Sequence, residues 1–248
     1  MQVDKKIYIN SEYGDDTNGN GTEDKPYASL NKIIETGIIE NGNSYAIVLM
    51  KGEYDLPKDI ITLTNDKSIN IFGNKKDTIL NLPKTVIGNA ADGAVGNINY
   101  SLNFYRLVVK DDSSSNTTNK WRSTNNVTFN NVVIINNQPA KYSLLALKKC
   151  NINNCISIGT QTVNIRCDTL VGTTLVTNSY GNFSSGYGTK DEQWNYQTNY
   201  ITKALKIDLT TYRITDDESL WKNIGTGTNP DGTQANLGVY GGKYSWEE

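Results

Sequence analysis

The feature that most constrains this fold is an internal repeat of apolar residues in the middle of the chain. Three segments carry apolar residues at relative positions 0, 2, 5 and 7, and a fourth keeps this frame but has Asp168 at the third position. Alternation with period two is typical of β-strands, and recurrence of one pattern is typical of repeat architectures. The sets are Leu102, Phe104, Leu107, Val109; Val127, Phe129, Val132, Ile134; Leu145, Leu147, Cys150, Ile152; and Val163, Ile165, Leu170.

The interruption inside each repeat predicts a two-residue corner between two short strands. A hairpin sheet would need glycine-containing turns between longer strands, and the repeat lacks them. Short strands with a corner in every repeat predict a solenoid, in which each strand stacks in parallel on a strand of the next coil. The predicted corners are Tyr105 with Arg106, Asn130 with Asn131, Lys148 with Lys149, and Arg166 with Cys167.

The first 80 residues carry a more specific order of elements. Ser29 can cap a short helix in which Leu30, Ile33 and Ile34 share one face. The full order resembles the beginning of bacterial pectate-lyase-like β-helix proteins, in which a strand, a glycine-rich loop, a cap helix and a Gly-x-Tyr motif open the solenoid. Here these elements are the strand 7–10, the loop 13–22, Lys-Pro-Tyr-Ala-Ser-Leu at 25–30, the strand 47–49 and Lys-Gly-Glu-Tyr at 51–54.

The C-terminus resembles the ending of many chains in the same superfamily. It has Asn-Pro-Asp-Gly-Thr at 229–233 and Leu-Gly-Val-Tyr-Gly-Gly at 237–242, with Asn236 and Val239 where Asp and Ala are usual. The resemblance implies a single-stranded right-handed parallel β-helix with an N-terminal capping helix that plugs the open end. It implies one domain over 1–248: strand, loop and cap helix at 1–44, coils at 45–178, and an aromatic loop region, last strand and irregular cap at 179–248.

Composition excludes several classes of function. The chain has 24 basic and 26 acidic residues spread along its length, a net charge of −2, so it lacks the basic stripe expected of a nucleic-acid-binding protein. It has no histidine, which removes the commonest general base, the Ser-His and Cys-His nucleophiles and most zinc sites. Cys150, Cys155 and Cys167 form neither a disulfide framework nor a zinc motif, and we expect them to be buried as small hydrophobic side chains.

The sequence does not predict insertion into a membrane. Its strongest apolar run, residues 45–50, is far shorter than the roughly 20 residues that cross a bilayer. Residues 1–6 lack the apolar region of a secretory signal. We therefore expect a protein located outside the cell or on a particle surface, which has either lost a signal or is released by lysis.

Two groups of charged residues are weak candidates for catalysis. A polysaccharide lyase needs a basic residue that removes a proton beside a uronate carboxylate, usually with Ca²⁺ to neutralise that carboxylate. Lys110, Asp111 and Asp112 lie at the end of one predicted coil, and Arg166 and Asp168 lie in another. Charged residues at solenoid corners are more often simply solvated, so these residues favour an enzyme only weakly.

The N-terminal loop carries part of a calcium-binding pattern. Asp16, Asn18 and Asn20 match the first half of an EF-hand-type loop. Tyr27 stands where the bidentate glutamate is expected, and a Gly/Asn turn explains the same residues without a metal. We therefore expect no cofactor, with Ca²⁺ at this loop as the alternative.

Aromatic residues in a polar stretch are the stronger functional signal. Tyr187, Trp194, Tyr196 and Tyr200 lie in a segment rich in Gly, Ser, Asn and Gln, and Trp121 lies in a polar insertion. Exposed aromatic rings stack on sugars while side-chain amides bind hydroxyls, so these residues predict a carbohydrate site. A loop that packs its rings into a small core of its own is the alternative.

These observations predict a non-catalytic β-helix protein that binds, or is displayed toward, cell-surface polysaccharide, with a phage or phage-tail-like particle as one setting. Two other classes stay open: a secreted polysaccharide lyase or glycoside hydrolase, and a structural spacer. A homotrimer is common among phage β-helices, but no heptad pattern demands one here.

Overall fold

The fold of the chain is all-β, as the repeat predicts. In this computed structural model nearly half of the described residues belong to short strands, and few belong to helices. The described residues are 3–57, 59–60, 67–74, 77–82, 101–111, 122–123, 126–136, 144–146, 149–159, 165–167, 175–177, 183–185, 207–213, 215, 225 and 227–241.

The strands are short and follow one another with few interruptions. The described part of the chain also contains the α-helix α1 (Asn31–Thr36), a 3-10 helix at Gly238–Tyr240, and two helical residues at 59–60. In chain order the strands are β1 (Lys5–Ile9), β2 (Tyr45–Leu49), β3 (Gly52–Asp55), β4 (Ser68–Gly73), β5 (Thr78–Asn81), β6 (Ser101–Tyr105), β7 (Val108–Asp111), β8 (Arg122–Ser123), β9 (Asn126–Asn130), β10 (Val133–Asn136), β11 (Leu144–Ala146), β12 (Lys149–Asn153), β13 (Ile156–Gly159), β14 (Ile165–Cys167), β15 (Leu175–Thr177) and β16 (Phe183–Ser185).

These strands form three parallel sheets that the chain visits in turn. The first sheet has the order β1-β2-β4-β6-β9-β12-β15, the second β13-β10-β7-β5-β3, and the third β16-β14-β11-β8. From β6 to β14 the chain passes from the first sheet to the second and then to the third, three times in succession. Each strand inside a sheet therefore pairs with the strand one repeat before it and the strand one repeat after it, and each strand at the end of a sheet has one partner.

In-register stacking places like residues above one another in the interior. Phe104 and Phe129 are paired across β6 and β9, and their rings stack with centroids 5.1 Å apart and planes 10° apart. Burial of such a continuous apolar column is the main stabilising contribution in a parallel stack. The column along the first sheet is Ile7, Ile47, Ile71, Phe104 and Phe129, all of them buried.

The first two predicted corners are confirmed. Arg106 and Asn131 have φ values of 52° and 54°, in the left-handed region, and each turns the chain from the first sheet into the second. The third corner is at Asn154, with φ of 52°, and not at Lys148 with Lys149. Asparagine accepts this conformation at lower cost than most residues, which explains its use at two successive corners.

The third and fourth repeats were aligned in the wrong register. Val127 pairs with Cys150, whereas the apolar pattern had aligned it with Leu145. Leu145 lies in β11 of the third sheet, and so the apolar spacing matched two adjacent strands of different sheets. Arg166 and Cys167, predicted as a corner, lie within β14 of the same third sheet.

The N-terminal segment covers the open edge of β1 and one end of the interior. The Tyr8 N–H donates to Gly21 O (2.8 Å) and the Tyr27 N–H to Tyr8 O (3.1 Å), so the loop pairs with β1. Leu30 and Ile33 of the α1 region are buried in the same cluster as the interior column. Leu30 occupies the N-cap position, so the predicted cap at Ser29 is wrong. No helix in the described part of the chain is long and apolar enough to cross a membrane.

The Gly-x-Tyr motif after β2 joins the ends of β1 and β2. The Tyr54 hydroxyl donates toward Met50 O (2.9 Å) and Ile9 O (3.2 Å), and it accepts the Ser11 N–H (3.2 Å). Gly52 has φ of 143°, and a Cβ at this position would collide with the Ser11 hydroxyl. Glycine and tyrosine are therefore both required where the chain leaves the first sheet for the second.

Replacement of Tyr54 by Phe should lower the free energy of unfolding by about 1–3 kcal/mol, because the buried carbonyl groups of Ile9 and Met50 lose the hydroxyl donor and the part-buried Ser11 N–H loses its acceptor. The measurement is urea unfolding. Tyr13→Phe is the matched control, since Tyr13 is 61% exposed and its hydroxyl donates only to the weak thioether acceptor Met50 Sδ (3.2 Å), so its change should cost less than about 0.5 kcal/mol. Equal stability of the two variants would contradict this role of the hydroxyl.

The C-terminal segment, described at residues 207–213 and 227–241, packs on the outer face of the second sheet. Val108, Val133 and Ile156 point outward from β7, β10 and β13, yet they are buried under this segment. The Gly238 N–H donates to Asn154 O (2.7 Å) and the Asn131 side-chain amide donates to Gly238 O (3.3 Å), which fixes the segment to two corners. Residues 209–211 form a turn that begins at Leu209, the last residue of the strand predicted from the sequence over 205–209. The residues packed in this second core are Val108, Val133, Ile135, Ile156, Tyr212, Leu237 and Val239.

Replacement of Gly238 by Ala should destabilise the protein more than replacement of Gly232. Both glycines have φ in the left-handed region, 72° and 85°, so each change carries a backbone cost of about 1–2 kcal/mol. Only at Gly238 would the new Cβ approach another atom, Ile156 Cδ1 at 2.8 Å, which adds about 1–3 kcal/mol. Urea unfolding measures both, and equal losses would contradict the close packing of the segment.

Candidate functional site

The outer face of the first sheet carries a column of mostly aromatic residues. The column contains Tyr8 of β1, Val48 of β2, Phe72 of β4 and Tyr105 of β6, which are in register and half-buried. The Phe72 and Tyr105 rings stack with centroids 4.6 Å apart and planes 10° apart. Because side chains of a strand alternate between faces, these rings point away from the interior column.

A cavity of about 280 Å³ lies over the first three members of this column. Ala46 and Val48 form its base, and the Tyr8 and Phe72 side chains line it on either side of β2. We call this cavity, together with the adjoining Tyr105 ring, the aromatic groove. The residues that line the cavity are Val3, Lys6, Tyr8, Glu23, Ala46, Val48, Phe72, Asn74 and Arg106.

The charged residues of the aromatic groove are two cations and one carboxylate. Burial, and then the negative charge of the nearby Glu23 carboxylate, raise the pKa of Tyr8 above its usual value. Lys6 is exposed, and none of the ion pairs among the described residues includes it. Arg106 reaches the groove from the first corner.

This arrangement suits the recognition of a polar ligand with apolar faces. Aromatic rings offer flat apolar surfaces to the C–H faces of a sugar. Lysine and arginine donate hydrogen bonds, and the Asn74 side chain both donates and accepts them. The groove therefore combines the two kinds of contact that a carbohydrate requires.

The predicted catalytic residues are distributed over different sheets. Lys110 and Asp111 lie in β7 of the second sheet, and Arg166 lies in β14 of the third sheet, two repeats further along the stack. The Lys110 ammonium lies 6.0 Å from the centroid of the Tyr212 ring, so it faces the C-terminal segment. Asp112 and Asp168 lie outside the described residues.

The predicted calcium residues make hydrogen bonds within the N-terminal loop. The Asp16 carboxylate accepts the N–H groups of Ala28 (2.7 Å) and Ser29 (3.1 Å) and the Ser29 hydroxyl (2.7 Å). The Asn18 amide donates to Asp15, and the Asn20 side-chain oxygen accepts the Thr22 N–H and hydroxyl. No group of three or more His, Cys, Asp or Glu residues placed to hold a metal occurs among the described residues. Calcium binding here stays a prediction.

The predicted aromatic sugar site lies outside the described residues. This applies to all five of its members, Trp121, Tyr187, Trp194, Tyr196 and Tyr200. The sequence reasoning did not select the aromatic groove. The sequence does contain the three aromatic residues, Tyr8, Phe72 and Tyr105, each at an outward position of its strand. They form one column only when the register between the strands is known.

Cys155 is buried at the start of the second sheet. It is fully buried, and its thiol lies 3.1 Å from Asn153 O. Burial raises the pKa of the Cys155 thiol to about 12, because the thiolate would lose its hydration. The thiolate is the nucleophilic form, so this residue is a small hydrophobic side chain of the core, as expected.

The raised pKa predicts that Cys155 is inert to thiol reagents in the folded protein. In a Cys150→Ala, Cys167→Ala variant, Ellman's reagent at pH 8 should label less than about a tenth of the chains in an hour, since the group ionises only near pH 12. The same variant in urea regains the ordinary pKa of about 8.5 and should react completely. Rapid stoichiometric labelling without urea would contradict this burial.

No family model, curated protein or solved structure matches this chain. Inferences about function therefore depend on the geometry of its own residues. In the described part of the chain, the aromatic groove is a site where aromatic and charged side chains line one cavity.

Proposed function

We propose that this chain is a parallel β-helix protein that binds cell-surface polysaccharide through the aromatic groove without cleaving it. The cyclic order of three parallel sheets supports the solenoid, because a coil that adds one strand to each sheet per turn produces this order. The N-terminal and C-terminal motifs support membership of the pectate-lyase-like superfamily.

The observation that carries the proposed function is the stacked pair of Phe72 and Tyr105 on an outward face. One face of the Phe72 ring stacks on Tyr105 at 4.6 Å, and Phe72 also lines the cavity, which the cations Lys6 and Arg106 line as well. A rigid parallel stack suits an extended glycan, because its surface does not have to order on binding. The proposed setting is the outside of a cell or the surface of a phage or phage-tail-like particle, where such a protein meets polysaccharide.

The wild-type protein should be retained by one or more purified bacterial capsular or O-chain polysaccharides on an array. For the retained polysaccharide, Phe72→Ala should weaken binding about tenfold, about 1.4 kcal/mol, because the stacking surface is lost. Tyr13→Ala is the control, since it removes an exposed aromatic residue away from the groove. Affinity electrophoresis in gels that contain the polysaccharide compares the three proteins.

Retention that depends on neither substitution would contradict a site at the groove, and the lack of any retention would contradict polysaccharide binding. The enzyme alternative has its own readout: new reducing ends or unsaturated products after incubation would favour a hydrolase or a lyase. The mass in solution, measured by light scattering, separates a trimeric particle module from a monomer of 27.5 kDa. A stable protein without any glycan ligand would favour the spacer.

A further inference from the structure

The aromatic column of the first sheet is interrupted at one strand. β1, β4 and β6 each place an aromatic ring outward, whereas β2, between β1 and β4, places Val48 there. The neighbouring outward residue of β2 is Ala46, which is also small. Two small side chains in succession leave the cavity of about 280 Å³ between the Tyr8 and Phe72 side chains.

The width of this gap is set by the spacing of strands. Neighbouring strands lie about 4.8 Å apart, so β1 and β4, which are separated by β2, lie about 9.6 Å apart. Stacked rings require centroid separations of about 4.5–7 Å, and Phe72 and Tyr105 already stack at 4.6 Å over one strand step. Two strand steps therefore have room for one interposed six-membered ring. The cavity volume of about 280 Å³ also suits a single sugar ring, since pockets for larger, drug-sized ligands have volumes of about 300–1,000 Å³.

The charges at the gap favour a ring that carries an acidic substituent. Lys6 borders the gap beside Tyr8, and Arg106 borders it on the side of Phe72. Glu23 is the single carboxylate among the residues that line the cavity. The net charge of these three groups is +1, and a bound carboxylate or sulfate would complement it.

We infer that the gap is a subsite for one anionic pyranose ring, a terminal or branch residue of a glycan, inserted between Tyr8 and Phe72 above Val48. This inference rests on the proposed function, and it adds how the ligand enters the groove and what charge it carries. An unbranched neutral chain lying flat on the sheet would not fill the gap and would not use Lys6.

A substitution that fills the gap tests this subsite directly. Val48→Phe adds the missing ring to the column, where it can stack between its neighbours, so the folded protein should keep its melting temperature within a few degrees. Asn130→Phe is the matched control, because Asn130 pairs with Tyr105 and the new ring extends the same column without entering the gap. Both variants carry the same new side chain on the same face of the same sheet.

The probes are the methyl glycoside of glucuronic acid, glucose 6-sulfate and the neutral methyl glycoside of glucose, titrated by ligand-observed NMR. The wild type and Asn130→Phe should bind at least one acidic sugar at least tenfold more tightly than the neutral one. Val48→Phe should lose this binding by more than tenfold. Lys6→Gln should reduce the preference for the acidic sugar to threefold or less.

Two results would show that the inferred subsite is wrong. Unchanged binding of the acidic sugars by Val48→Phe shows that the gap is not the subsite, and equal binding of acidic and neutral sugars removes the role of Lys6. If the polysaccharide is still retained in either case, the proposed function stands and only the subsite fails. If the wild type retains no polysaccharide and binds none of the three sugars, both fail together.

Discussion

The left-handed corner between the first and second sheets is the local constraint on which the rest of the fold depends. One residue with positive φ, at Arg106, Asn131 and Asn154, turns the chain so that the apolar residues before and after it both point inward. The corners also bond to one another: the Arg106 N–H donates to Asn130 O, and the Asn131 N–H donates to Asn153 O. An ordinary corner of extended residues would shift the register and move every side chain of the next strand to the opposite face.

The corner residues also determine how the outer face of the second sheet differs from that of the first sheet. The Gly238 N–H donates a hydrogen bond to the carbonyl oxygen of the corner residue Asn154. This bond holds the C-terminal segment against the second sheet. The outward residues Val108 and Val133 are covered there, and both faces of that sheet are apolar, as expected for a parallel sheet buried on both sides. On the first sheet the outward residues near the N-terminus form the aromatic groove, where stacked rings lie beside charged side chains.

The sequence was sufficient for the local features and insufficient for the register. The corners at Arg106 and Asn131 follow from the repeat, since an interruption in alternation marks where the chain must turn. The corner at Asn154 was missed because Leu145 and Cys150 are five residues apart, the same interval that separates positions 0 and 5 of the repeat, and they lie in different sheets. The aromatic groove depends on pairing between distant strands, such as β1 with β2, and local patterns do not contain that information. Outward apolar residues such as Val108 and Val133 were a signal for a covering segment that the sequence reasoning did not use.

Glycan binding at the aromatic groove can be tested by locating the bound glycan on the protein by NMR. Methyl-labelled protein would be titrated with oligosaccharide fragments of a polysaccharide that it retains. We expect the methyl resonances of Ala46 and Val48 to shift, because these groups form the base of the aromatic groove. If the tryptophan and tyrosine resonances of Trp194 and Tyr196 shift while Ala46 and Val48 stay unchanged, the glycan binds elsewhere and the proposed binding at the aromatic groove is wrong.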